Sequence, residues 1–175
     1  IRRLGADLRA TGENYEDAER SAKRYAAEND AHFISAYSDR DLLAAVGTLA
    51  LEILEDLPDV SRVLVPLGGG GLLAGLAATF AAAGRSIETI GIEVEASHPF
   101  TASLAAGRIV EVEVGPTLAD GLAGNMDPDN LAFPIVQRLV RKVVRVAEPD
   151  LAAAMRGLVQ HDHLAGLLRG GEDRL

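Results

Sequence analysis

The chain contains no cysteine and no tryptophan, and only 4% of its residues are aromatic. Without cysteine it can form neither a disulfide nor a thiolate metal site, which leaves its redox compartment open. No apolar run approaches the roughly 20 residues needed to span a bilayer, and no charged-then-apolar signal segment opens the chain. Lysine is also scarce, since only Lys23 and Lys142 are present. These absences argue against a membrane protein, and we expect a cytoplasmic setting.

The 175 residues carry a formal net charge of -9, with an apolar content of 48%. Such an excess of negative charge argues against nucleic acid or an anionic membrane as a partner. The length suits one domain, and apolar strand patterns alternate with helical ones. The composition therefore predicts a soluble α/β protein with a parallel sheet built through right-handed crossovers.

Residues 62–75 form the most informative segment. A β-branched and leucine-rich run reads as a buried strand, breaks at four consecutive glycines and resumes at helical spacing. Because glycine has no Cβ, the main chain can close around an anion, and the helix dipole favours negative charge there. We expect a phosphate ligand, bound by Gly68, Gly69, Gly70, Gly71 and Leu72.

Two alternatives to phosphate binding remain open for this loop. The glycines could serve only tight packing between helix and strand. The spacing of Gly69, Gly71 and Ala74 also satisfies a dinucleotide-binding pattern, with Glu93 or Glu95 near the end of the next strand as its acidic residue.

The rest of the chain shows a regular pattern of elements. Strands are predicted over 6–10, 32–34, 87–93, 109–114 and 143–146, in addition to the strand before the glycines. Helices are predicted over 97–105 and 130–140 and from Pro149 onward, and capping pairs at Asn14 with Asp17 and Ser38 with Asp41 introduce two earlier ones.

The same pattern predicts where several charged residues and histidines lie. Glu19 and Lys23 stand four apart, which predicts an ion pair on the solvated face of the first helix. Lys142 is expected at the exposed start of a strand. His161 and His163 are two apart on a predicted helix and face different directions, which favours surface positions over a metal site.

Six ordered blocks resemble the serine/threonine dehydratase and serine racemase group of pyridoxal-phosphate enzymes. They accompany the glycine loop and comprise Leu4-Gly5-Ala6-Asp7, Asn14-Tyr15-Glu16-Asp17-Ala18, residues 47–54, Gly91-Ile92-Glu93, Ala119-Asp120-Gly121 and Val143-Val144-Arg145-Val146. The resemblance extends from Ile1 to about Leu164.

This resemblance implies a fold and an activity. It implies a partial fold type II architecture, a three-layer αβα arrangement with a mostly parallel sheet. Residues 1–37 would finish a smaller domain, and residues 38–175 would form most of the larger, cofactor-binding one. The implied activity is pyridoxal-phosphate-dependent deamination of L-threonine or L-serine to a 2-oxo acid and ammonia, in a homo-oligomer when intact.

The group carries its cofactor on a lysine near the N-terminus, followed by Ser-x-Gly-Asn-His, and neither lysine here stands in that context. We therefore expect a fragment that lacks the N-terminal lysine segment and supplies no catalytic residue of its own. After His163-Leu164 the sequence also departs from the group's continuation. The alternatives are an amino-acid racemase of the same fold, a non-catalytic remnant and a Rossmann-type nucleotide-binding module.

A divalent cation is the second cofactor that the resemblance suggests. In the racemase branch the glutamate matching Glu93 binds a cation together with an aspartate six residues later, where this chain has Pro99. Asp120 or Asn125 could compensate, or Glu93 could be paired structurally. Asp120 is in addition placed beside the cofactor ring by the resemblance, although an ordinary turn would use the same residue.

Overall fold

The computed structural model describes residues 1–12 and 15–161, with only the backbone of His161. Two short 3₁₀ helices, Arg2–Leu4 and Asp120–Leu122, accompany the main elements. The helices are α1 (Tyr15–Glu28), α2 (Arg40–Asp56), α3 (Gly71–Ala82), α4 (Pro99–Ala106), α5 (Ala132–Leu139) and α6 (Glu148–His161). The strands are β1 (Arg62–Pro66), β2 (Glu88–Val94) and β3 (Lys142–Val146). Within the described residues, no helix is long and apolar enough to cross a membrane.

The three strands pair in parallel in the order β1-β2-β3, which confirms the predicted α/β architecture. Pro66 of β1 stands opposite Ile92 of β2, and Val94 of β2 stands opposite Val146 of β3. Within the described residues β2 is the central strand, and β1, the strand before the glycines, lies at an edge of the sheet.

Helix α3 packs closely on one face of this sheet. Leu73, Leu76 and Phe80 are almost fully buried. A Cβ added at Gly91 of β2 would lie 2.7 Å from a methyl of Leu67 and 2.9 Å from one of Leu73. The glycine thus permits a close approach of helix to sheet, which fixes the start of α3 above the end of β1.

Three segments predicted as strands, 6–10, 32–34 and 109–114, form no strand. The last of them is held by side chains instead of a ladder. Asn125 accepts from the N–H of Val112 at 2.8 Å and donates to its carbonyl at 3.1 Å. The hydroxyl of Ser103 likewise accepts from the N–H of Val110 at 3.0 Å. Apolar alternation predicted a strand here, but it could not show that these backbone groups bond to side chains.

The helices agree with their predicted positions to within a few residues, but one cap differs. Asp39, not Ser38, caps α2, accepting from the N–H groups of Asp41 and Leu42 at 2.9 and 3.1 Å. The hydroxyl of Ser38 accepts instead from the N–H of Leu131, at 2.8 Å. Asn14, the predicted cap of α1, lies outside the described residues.

The predicted ion pair between Glu19 and Lys23 on α1 forms, at 3.7 Å. Its predicted solvated setting is wrong for Glu19, whose side chain is only 4% exposed. Lys23 extends beyond it to Asp127, so this face of α1 packs inward. The buried carboxylate is tolerated because Ser35 and Tyr37 also donate to it.

Candidate functional site

The glycine loop joins β1 to α3 as predicted. Gly70 is the N-cap of α3 in a left-handed conformation with φ 89° and ψ −8°. The N–H of Ala74 is the first to bond within the helix, to the carbonyl of Gly70 at 2.9 Å. Among the described residues, no acceptor engages the N–H groups of Gly68 to Leu72. The loop therefore keeps the donors that an anion requires.

A side chain would clash at three of the four glycines and would be crowded at Gly68. An added Cβ would lie 3.1 Å from Leu122 Cα at Gly68, and 2.2 Å from Tyr37 Cγ at Gly69. It would lie 2.3 Å from the Phe100 ring at Gly70, and 2.6 Å from the Tyr37 carbonyl at Gly71. Close packing on three sides therefore accounts for glycine at each position.

A cavity of about 290 Å³ opens beside this loop. Gly68, Gly69 and Tyr37 line it on one side, and residues 120–125 line it on the other. Asp120, predicted to approach the cofactor, is brought to the same cavity. Because the loop follows the carboxyl end of β1, the cavity lies where open parallel sheets bind their ligands.

Two residues that support the loop were missed by sequence reasoning. Asn130 is almost fully buried; its Nδ2 donates to the Gly69 carbonyl at 3.0 Å and its Oδ1 accepts from Ala132 and Phe133 at the start of α5. Tyr37 packs over Gly69. An asparagine just before a predicted helix signals a cap, but the contact with a loop 61 residues earlier has no local sequence signal.

Charged groups cluster on the far side of Tyr37. Lys23 Nζ lies 2.8 Å from Asp127 Oδ2, and Tyr37 donates to Glu19 Oε2 at 3.3 Å. Burial raises the pKa of Glu19, and the neighbouring carboxylate of Asp127 adds to that shift. The ammonium of Lys23 holds the pKa of Asp127 below its ordinary value, against the effect of burial. Burial likewise raises the pKa of Tyr37, which keeps its hydroxyl protonated as a donor.

Glu93, the candidate metal ligand, is fully buried at the end of β2. One oxygen accepts from the N–H of Phe100 at 2.7 Å, and the other accepts from the N–H and hydroxyl of Thr101 at 2.9 and 2.6 Å. No group of three or more metal-ligating side chains occurs in the described residues. The carboxylate therefore anchors the N-terminus of α4 through three hydrogen bonds.

Asn125, the other proposed partner for a cation, is also occupied. Its side-chain amide both donates to and accepts from the backbone of Val112. Its N–H bonds to the Glu16 carboxylate at 3.2 Å. The residue lines the cavity, but its polar side-chain atoms hold the 109–114 segment in place.

Neither lysine lies at the glycine loop. Lys142 is exposed at the first residue of β3, as predicted, which is the opposite end of the parallel sheet from the loop. Lys23 is engaged by carboxylates. His163 and the side chain of His161 lie outside the described residues.

Comparison with known proteins agrees with the resemblance in the sequence. The sequence profile described as "Pyridoxal-phosphate dependent enzyme" matches residues 1–171. The chain is 39% identical over 163 residues to the L-threonine ammonia-lyase of Geobacter sulfurreducens, covering 93% of this chain and 40% of that protein. It is 36% identical to the catabolic L-threonine dehydratase TdcB of Escherichia coli, covering 90% of this chain and 47% of that protein.

Solved structures show the same similarity. Maize serine racemase superposes with a TM-score of 0.81 at 29% identity, covering 91% of this chain and 49% of that one. The processed form of threonine deaminase isoform 2 from Solanum lycopersicum also gives 0.81 at 29% identity, covering 90% and 46%. The chain thus spans less than half the length of these relatives.

Proposed function

Because this chain belongs to the pyridoxal-phosphate dependent enzyme family, we propose that its glycine loop binds the phosphate group of pyridoxal phosphate. The observation that carries the proposal is the set of N–H groups from Gly68 to Leu72 that have no acceptor among the described residues. Their place at the N-terminus of α3 adds the favourable helix dipole. Hydrogen bonds to an ionised phosphate are among the stronger ones available to a backbone donor.

The cavity beside the loop is consistent with such a ligand. Its volume of about 290 Å³ is near the lower end of ligand pockets, roughly 300–1,000 Å³. The glycines would hold the phosphate, while Tyr37 and Leu122 would cover the loop and limit the access of water. Asp120 is exposed at the rim of this cavity and would face the remainder of the ligand.

For the intact protein we propose deamination of L-threonine or L-serine to a 2-oxo acid and ammonia. The two curated relatives described above, at 39% and 36% identity, are lyases of this kind, whereas the racemase structure is 29% identical. The bound cofactor would withdraw electrons from the amino acid during the reaction. This chain's part is to bind and orient the cofactor phosphate, and we assign the lysine that carries the cofactor to sequence outside these residues.

Amide resonances offer a direct test, because mutation to proline, which removes a backbone donor, would also change the conformation of the loop. The chain would be prepared with isotope-labelled glycine and titrated with pyridoxine phosphate, which lacks the aldehyde and cannot react with lysine. We expect saturable shifts for Gly68 to Gly71, and none for Gly84 or Gly157, which lie away from the loop.

Two further ligands complete the experiment. Pyridoxine without phosphate should leave the loop resonances unchanged, whereas inorganic phosphate should shift the same ones. Equal shifts with pyridoxine alone, or none with either phosphate compound, would overturn the proposal. Shifts with an adenine dinucleotide alone would favour the nucleotide-binding alternative.

A further inference from the structure

Tyr37 connects the glycine loop to the buried carboxylate of Glu19 on α1. Its ring occupies the space where a Cβ at Gly69 would lie, at 2.2 Å from Cγ. Its carbonyl occupies the corresponding space at Gly71, at 2.6 Å. Tyr37 is therefore in close contact with the loop at two of the four glycines.

The hydroxyl of Tyr37 is fixed by a carboxylate from a different part of the chain. It donates to Glu19 Oε2 at 3.3 Å, and Ser35 donates to the other oxygen of Glu19 at the same distance. The carboxylate belongs to α1, 18 residues earlier. With both ends of the tyrosine held, the ring has little freedom to move away from Gly69.

Glu19 is in turn held by an ion-pair network. Lys23 Nζ lies 3.7 Å from Glu19 Oε1 and 2.8 Å from Asp127 Oδ2. Asp127 belongs to the same connection between α4 and α5 that lines the cavity through residues 120–125. The network thus joins α1 to both sides of the cavity.

We propose that Tyr37, oriented by Glu19, is a positioning residue that holds the glycine loop in its phosphate-binding conformation. This inference rests on the proposed phosphate site and adds to it the residues on which its affinity depends. Tyr37 itself donates no hydrogen bond to the ligand. It acts by preventing Gly69 and Gly71 from relaxing into the space that the tyrosine fills.

The test compares phosphate affinity in single and double variants of the full chain. Tyr37→Phe keeps the ring and removes the hydroxyl, and Glu19→Met keeps a similar volume and removes both carboxylate oxygens. Each should weaken binding of pyridoxine phosphate roughly tenfold, as expected for losing a hydrogen bond to a charged acceptor. The double variant should lose no more than either single one, because both changes break the same interaction.

Tyr25→Phe is the matched control on the same helix as Glu19. Tyr25 is 40% exposed and packs under the guanidinium of Arg9, away from the loop. This variant should bind pyridoxine phosphate with wild-type affinity.

A spectroscopic measurement separates positioning from general stabilisation. With fluorotyrosine incorporated at all three tyrosines, the fluorine resonance of Tyr37 should shift on adding inorganic phosphate, while that of Tyr25 should not. If Tyr37 only stabilised the fold, its substitution would lower the unfolding midpoint, and its fluorine resonance would not shift when phosphate is added.

The failures of the two proposals are distinguishable. If the wild-type chain binds neither phosphate compound, the phosphate site is refuted, and this inference with it. If the wild-type chain binds but Tyr37→Phe binds equally well, or the losses in the double variant add, only the role of Tyr37 is refuted.

Discussion

The side-chain amide of Asn130 donates to the carbonyl of Gly69 at 3.0 Å, joining the start of α5 to the glycine loop. The oxygen of the same amide accepts two N–H groups at the N-terminus of α5, at 2.7 and 3.0 Å. One buried side chain therefore satisfies three backbone groups in two elements. Its donor engages a carbonyl, which leaves the N–H groups of the loop available for an anion.

Asn130→Ala should lower the free energy of unfolding by about 2 kcal/mol. The estimate combines the loss of a helix cap, about 1 kcal/mol, with the cost of leaving the half-buried Gly69 carbonyl without its donor. Urea unfolding would measure it. Asn29→Ala is the matched control, since Asn29 makes an exposed bond to the Tyr25 carbonyl and should cost less than about 0.5 kcal/mol.

Gly69→Ala and Gly157→Ala should change stability in opposite directions. At Gly69 a methyl would overlap the Tyr37 ring, so the loop or the ring must move, at a cost of about 1–3 kcal/mol. At Gly157 in α6 nothing lies within 4 Å of an added Cβ, and alanine should stabilise the helix by up to about 1 kcal/mol. Thermal unfolding of both variants would decide; equal effects would contradict the close contact at Tyr37.

The conformation of Gly70 limits what a substitution at this position can test. Gly70 has a positive φ, and its Cβ direction meets the Phe100 ring. A substitution at Gly70 would strain the loop and disturb the core, so it would not report on phosphate charge.

The loop and its flanking elements were predictable because their signals are local. An apolar strand, four glycines and a helical repeat are contiguous, so their order fixes the turn. The prediction that this strand is buried is wrong, because only Val65 of its five residues is buried. The surroundings of the loop were not predictable in the same way. Gly69 is contacted by Tyr37 and Asn130, which are distant from it in the sequence. A contact between such distant residues produces no periodic pattern from which it could be predicted.

The burial of Glu19 on α1 could not be predicted from the sequence either. The pattern assigned Glu19 to solvent because charged residues are seldom buried. The assignment failed because Lys23, Ser35 and Tyr37 lie close enough to pair with it. Helical spacing identified the Glu19–Lys23 pair, but burial depends on what packs against that face.

Glu93→Gln should destabilise the fold by about 2–4 kcal/mol. The carboxylate accepts three hydrogen bonds at the start of α4, and an amide can accept only through its oxygen while its NH₂ would face a backbone donor. Glu95→Gln, an exposed change two residues later, is the control and should stay within about 0.5 kcal/mol. Added Mg²⁺ tests the predicted cation: an increase in wild-type stability that Glu93→Gln abolishes would support a metal at Glu93.

The stability of Glu19→Gln relative to the wild-type chain should increase as pH rises. Burial raises the pKa of Glu19 above its ordinary value of 4.5, with Asp127 and Lys23 as its charged neighbours and Tyr15, Tyr37 and Asp129 nearby. A group with a raised folded pKa contributes stability below the unfolded pKa and loses it as pH rises through the folded one.

Glutamine does not ionise, so the variant avoids that loss, and its advantage should appear above pH 4.5 and level off once Glu19 is ionised. The opposite shift at Asp127 acts at lower pH, where stability falls with falling pH in both proteins. Urea unfolding of both chains across this range would give the difference directly, and Glu28→Gln, an exposed change at the end of α1, should follow the wild type at every pH. A difference that favours the wild type increasingly as pH rises would show that Lys23 stabilises the Glu19 carboxylate by more than burial disfavours it. A difference that is constant with pH would show that the two effects balance, which also contradicts the prediction.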